Sequence, residues 1–82
     1  MTMMLPETVE NLIRQGLACS HLEVAGDGQH FEALVVSAEF AGMSRVQRHQ
    51  RVNQTVRAQL DSGELHALSL KTHTPEEWSA RG

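Results

Sequence analysis

The sequence predicts an α+β domain, a three-stranded mixed sheet with helices packed on it. Three observations predict this class. Apolar residues recur at helical spacing near the N-terminus and again beyond residue 44. An Asp-Gly pair sits between two strand-like runs and reads as a hairpin, so the first two strands are antiparallel. A third strand-like run follows the long helical segment, and a strand–helix–strand crossover makes strands two and three parallel.

The elements follow in order. "LPETVENLIRQGL", residues 5–17, sets Leu5, Val9, Leu12, Ile13 and Leu17 at helical spacing. Pro6 suits a first turn, where its missing N–H costs nothing. "HLEVA", residues 21–25, alternates, with Leu22 and Val24 on one face. "GDG", Gly26 to Gly28, is a turn, because glycine tolerates the positive φ that tight turns need. "HFEALVVSAEF" is apolar on both faces, Phe31 with Val35 and Leu34 with Val36, as a central strand requires. "MSRVQRHQRVNQTVRAQL", residues 43–60, reads as one long helix opened by a capping box of Ser44 and Gln47. Val46, His49, Val52, Val56 and Leu60 fall on its broad inner face. "DSG", Asp61 to Gly63, ends it. "HALSLKT", residues 66–72, is the third strand, with Leu68 and Leu70 inward and Ser69 and Lys71 outward. "TPEEW" opens a last helix: Thr74 caps, Pro75 takes the first position, Glu77 closes a second capping box and Trp78 fastens it to the body.

Size and composition narrow the function. Eighty-two residues make one domain, residues 1–82. The one cysteine, Cys19, excludes a disulfide framework and a self-contained multi-cysteine metal site, and it suits a reducing compartment. There is no leader pattern and no apolar run near the roughly 20 residues of a membrane span. A soluble, cytoplasmic protein without a membrane role is therefore expected. No nucleophile–base pair, Walker loop or dinucleotide fingerprint is present, and "GDG" lacks the third glycine and the following helix. An enzyme is not expected.

Charge is unevenly placed. The formal net charge is −3, yet residues 40–60 hold four arginines (Arg45, Arg48, Arg51, Arg57) and no acid. Such a segment meets nucleic acid or an acidic protein, or is simply a solvated helix face. Arg45, Arg48 and Arg51, near the start of the long helix, are the nucleic-acid-binding candidates. With one Trp, two Phe and no Tyr, base stacking has little to work with.

The histidines supply the other candidates. His30 begins strand two and His66 begins strand three, and parallel strands start at one end of the sheet. The two imidazoles thus share a rim. They are either a metal or cluster ligand pair or two strand-edge residues bonded to backbone. His49 reads as partly buried on the helix face, His21 as outward, His73 as a loop residue and Cys19 as a packing residue.

The stretch "VAGDGQHFEALVVSAEFAGMSRVQRHQRVNQTV", followed by "HALSLKTHTPEEW", resembles the BolA family over residues 22–78. Its hairpin style is similar to the short bacterial branch. The resemblance implies a class II KH-like fold of helix, two strands, an optional short helix, helix, strand and helix. It implies a helix-turn-helix-like region around the basic segment, linked in the family to DNA binding and transcriptional regulation. It also implies a partner, a monothiol glutaredoxin, with which BolA-like proteins bridge a [2Fe–2S] cluster in iron–sulfur trafficking or iron, redox and stress regulation. The glutaredoxin cysteine and glutathione supply thiolates; the ligand of the C-terminal motif falls on His66. A second ligand comes from the first hairpin, where His30 is the available residue. No cofactor is expected in the isolated chain. The chain lacks the Gly-x-x-Gly loop with which ordinary KH domains clamp nucleotides. A monomer and a homodimer are both admitted as resting forms.

Overall fold

In a computed structural model, which describes residues 4–80, the chain forms the expected α+β architecture. Helix α1 (Pro6–Gly16) leads into strands β1 (His21–Gly26) and β2 (His30–Val36). A 3₁₀ turn (Ala38–Phe40) and helices α2 (Arg45–Thr55) and α3 (Arg57–Ser62) precede strand β3 (Ala67–His73) and helix α4 (Pro75–Ala80). The sheet order is β1-β2-β3, with β1 antiparallel and β3 parallel to the central β2.

The hairpin is built as its residues require. Asp27 Oδ1 accepts the backbone N–H groups of Gln29 and His30, both at 2.9 Å, and Gly28 takes a φ of 103°. These two donors, His30 first, hold the Asp27 carboxyl below its ordinary range. Gly26 has a different reason to be glycine: a Cβ there would lie 2.3 Å from Phe31 Cδ1.

One face of the sheet packs the core. Leu22, Phe31, Ala33 and Val35 bury against Val9, Ile13 and Leu17 from the α1 side and against Val52 and Val56 from the second helical segment. Leu68 and Leu70 add partly buried surface from β3. The opposite face carries Glu23, Glu32, Leu34, Ser69 and Lys71, and is open over most of its area. At one end it is covered. Val36, on that face, is fully buried beside Trp78, which stacks on His21 at 5.1 Å and tilts against His73 at 5.8 Å. Helix α4 is thus a clip on the far side of the sheet from α1.

Several expectations are corrected. The long helix is two helices broken at Val56, whose φ of −121° and ψ of 19° leave the helical region. The run Asn53, Gln54, Thr55, Val56 explains the break. It holds low-propensity and β-branched residues, and Thr55 Oγ1 donates back to the Val52 carbonyl at 2.6 Å. Val46 does not join the core and is 64 % exposed; Leu5 is the residue before α1 and is 55 % exposed. The β3 ladder runs one residue later than expected. His66 stands just before it, and His73 is its last residue rather than a loop residue. Both capping boxes form: Ser44 with Gln47, and Thr74 with Glu77.

Candidate functional site

The parallel register places His30 opposite Ala67, so His66 lies one residue outside the ladder on the same rim. Neighbouring strands run about 5 Å apart, which makes the two histidines close neighbours in the backbone. Both side chains are exposed. The register also sets them one step out of phase. His30 shares the open face with Glu32 and Leu34, whereas His66 has the other parity and sits where the pleat no longer dictates direction. The Asp27 turn anchors His30 from below. A shallow cleft beside it is lined by Asp27, Glu32, Ala67 and Ser69. Leu65, only 1 % exposed and bonded through its N–H to the Gln59 carbonyl at 3.0 Å, roots the residue before His66 in the core.

The donor set decides what this rim can hold. Among the described residues no group of three His, Cys, Asp or Glu is arranged to bind a metal ion. Two exposed imidazoles fit one half of an iron–sulfur site and no more, since such clusters need thiolates or imidazoles at all four terminal positions. Cys19 cannot complete the set from within the chain. It lies before β1, at the Val36 end of the hairpin, opposite to His30. Its thiol is pushed up, chiefly by burial, with Arg14 opposing and Glu39 reinforcing the shift. That is a packing cysteine, as its place between the first helix and the first strand suggested.

The basic segment behaves differently from its appearance in sequence. Arg48 grips Glu77 with two bonds of 2.7 and 3.2 Å, donates Nε to the Met43 carbonyl at 3.0 Å and lies 5.9 Å over the Phe40 ring. Its side chain is 14 % exposed. Arg51 donates to the Gly16 carbonyl at 2.8 Å and to Glu39 at 3.2 Å. Glu39 in turn accepts the Ala18 N–H at 2.9 Å, and buried Ser37 donates to the Ala18 carbonyl at 2.6 Å. Arg48 and Arg51 therefore bolt α2 to α4 and to the end of α1. Arg45 keeps an exposed guanidinium with no ion pair among the described residues. His21 is not a simple outward residue: it bonds Glu23 at 2.5 Å and stacks on Trp78. Sequence spacing alone gave no sign of either arrangement.

The comparisons with known proteins fall on this same framework. Residues 13–77 match the family model described as BolA-like protein. The chain is 34 % identical over 71 residues to the acid stress protein IbaG of Escherichia coli K12, covering 87 % of this chain and 84 % of that relative. It is 44 % identical over 64 residues to the DNA-binding transcriptional regulator BolA of Haemophilus influenzae, covering 76 % of this chain and 61 % of that one. Among solved structures, a BolA homologue from Coxiella burnetii superposes with a TM-score of 0.84 at 37 % identity, over 94 % of this chain and 99 % of that one. The relatives carry the names of a stress protein and a regulator, not of enzymes.

Proposed function

The chain belongs to the BolA family, and from that premise we propose that it is an adaptor that pairs with a monothiol glutaredoxin and shares a [2Fe–2S] cluster. His66 and His30 are its ligands. The observation that supports this is the rim itself: two exposed imidazoles, one residue apart in register, with no third donor arranged beside them among the described residues. A half-site of this kind is completed by a partner's thiolates, from the glutaredoxin cysteine and glutathione.

When bound, the cluster supplies one-electron chemistry and a transferable iron–sulfur unit. The chain's own residues do the rest. The Asp27 turn fixes where the chain enters the sheet at His30, and Leu65 roots His66 just before β3. The imidazoles ligate only when neutral, so acid releases them. That dependence gives the pair a route to stress sensing.

Co-expression with a monothiol glutaredoxin tests the reading. Visible absorbance and circular dichroism of the purified pair should change in His66→Ala, and more mildly in His30→Ala. An unchanged cluster spectrum in both variants would sink the ligand assignment.

A second reading is a DNA-binding regulator, favoured by the name of the Haemophilus relative. It rests on Arg45 and Arg57, because Arg48 and Arg51 already serve the fold. A promoter shift that weakens steeply with salt and is lost in Arg45→Ala supports it; salt-insensitive binding argues against it.

A further inference from the structure

We propose that the free edge of β3, from Leu70 to His73, is a docking strand for an extended acidic peptide of a partner protein. The peptide adds to the sheet as a fourth strand beneath Arg45 and His49. This surface is distinct from the histidine rim: Thr72 lies roughly 20 Å from His66 at about 3.3 Å per residue. It does not depend on cluster ligation.

Three observations carry it. First, a cleft runs between the start of α2 and this strand, lined by Arg45, His49, Leu70, Lys71, Thr72 and His73. Second, β3 is an outer strand of the sheet, and its hydrogen-bonding sides alternate. The His73 carbonyl accepts the Ser37 N–H at 3.0 Å, so His73 and Lys71 turn their backbone groups towards β2. Leu70 and Thr72 therefore present N–H and C=O outward, into the cleft, with no backbone partner among the described residues. Third, the cations around this edge are uncommitted. Arg14, Arg48 and Arg51 are held by Glu10, Glu77 and Glu39, whereas Arg45 and Lys71 have no ion pair among the described residues.

These features select the occupant. A peptide strand offers alternating donors and acceptors that match Leu70 and Thr72, as in strand addition generally. A DNA sugar-phosphate backbone offers phosphate acceptors but no donor for the outward carbonyls, and an RNA backbone offers only its 2′-hydroxyls, without the alternating donor and acceptor spacing of a strand. A second copy is disfavoured, because pairing β3 with itself brings Lys71 and Arg45 against their own equivalents, and edge lysines discourage such pairing. Acidic side chains meet Arg45 and His49 on the helix side and Lys71 on the open side.

The probe is the hexapeptide acetyl-Glu-Val-Glu-Glu-Val-Glu-amide, carrying acids on both faces, with binding read by fluorescence anisotropy and amide exchange on the full chain. Binding should weaken with salt, slow exchange at the Leu70 and Thr72 amides, and fall about tenfold in Arg45→Glu/Lys71→Glu, where two surface ion pairs become repulsions. Both residues are exposed, so the variant should keep its circular dichroism. A peptide N-methylated at its central residues should bind at least tenfold more weakly to the unaltered protein, an arm that needs no variant. Several results would overturn the proposal: no binding at millimolar peptide, binding that leaves the Leu70 and Thr72 amides untouched, or indifference to N-methylation. So would preferential occupation of the cleft by a single-stranded oligonucleotide, or protection of those amides by self-association alone.

Discussion

Replacing Gly26 by alanine should destabilise the fold by about 2–3 kcal/mol, the upper part of the range for overpacking a well-filled core. The new Cβ would sit 2.3 Å from Phe31 Cδ1, 2.7 Å from the His30 carbonyl oxygen and 2.8 Å from Phe31 Cγ. Non-bonded carbons settle near 3.5–4.0 Å, so something must move by about 1 Å or more. Neither neighbour yields easily. Phe31 is 1 % exposed within the core, and the His30 carbonyl accepts the Asp27 N–H at 3.2 Å. Gly26 has no positive φ, so the penalty is steric and not conformational. A chain of this length has about 4–12 kcal/mol of stability in all, so the variant should fold but melt roughly 10–20 °C lower. Urea unfolding followed by far-ultraviolet circular dichroism measures it, with a lower midpoint and an unchanged slope. Adding Phe31→Leu removes ring atoms from the clash, and the two substitutions should couple favourably by about 1 kcal/mol. An unaltered midpoint in Gly26→Ala, or strict additivity in the double variant, would refute the claim that the hairpin closes on the Phe31 ring. The same substitution presses on the His30 carbonyl, so on the proposed function it should also lower the visible cluster absorbance of the co-expressed pair.

The remaining predictions concern the helices. The Arg48 guanidinium, and then the Thr74 N–H, hold the Glu77 carboxyl at about 2, against an ordinary value of 4.5. A carboxyl depressed on folding stabilises above its ordinary value, and that contribution disappears as pH falls from about 4.5 through about 2. Glu77→Gln should therefore flatten the acid limb of a melting-temperature profile over that window; an unchanged limb would show that the Arg48 clamp is not formed. Ser44→Ala removes the acceptor of the Gln47 N–H at 3.2 Å and should cost about 1 kcal/mol in chemical denaturation. Val46→Lys, at a site 64 % exposed, should shift stability by no more than about 0.5 kcal/mol, and a loss of several times that would mean Val46 packs after all.

Features that depend on neighbours along the chain are legible in the residues alone. Asp27 and Gly28 specify a hairpin because the bonds of that turn close within a few residues. The pairs Ser44 with Gln47 and Thr74 with Glu77 mark helix starts for the same reason. Period-two alternation and one crossover then implied a mixed sheet with both histidines on one rim, which the register bears out. Charge and phase were not legible in this way. Arg48 looked like a free cation until folding carried Glu77, far along the chain, onto it, and Arg51 until Glu39 and the Gly16 carbonyl arrived. Val56 fits a continuous helix by spacing, and the weak helix formers around it, the competing Thr55 bond and its own burial break it. His21 reads as merely outward in the sequence because the ring that stacks on it, Trp78, arrives from the other end of the chain. Local patterns record the backbone's own requirements. Which charge is spent, which edge stays open and how His66 stands relative to His30 are settled only when distant segments compete for the same space.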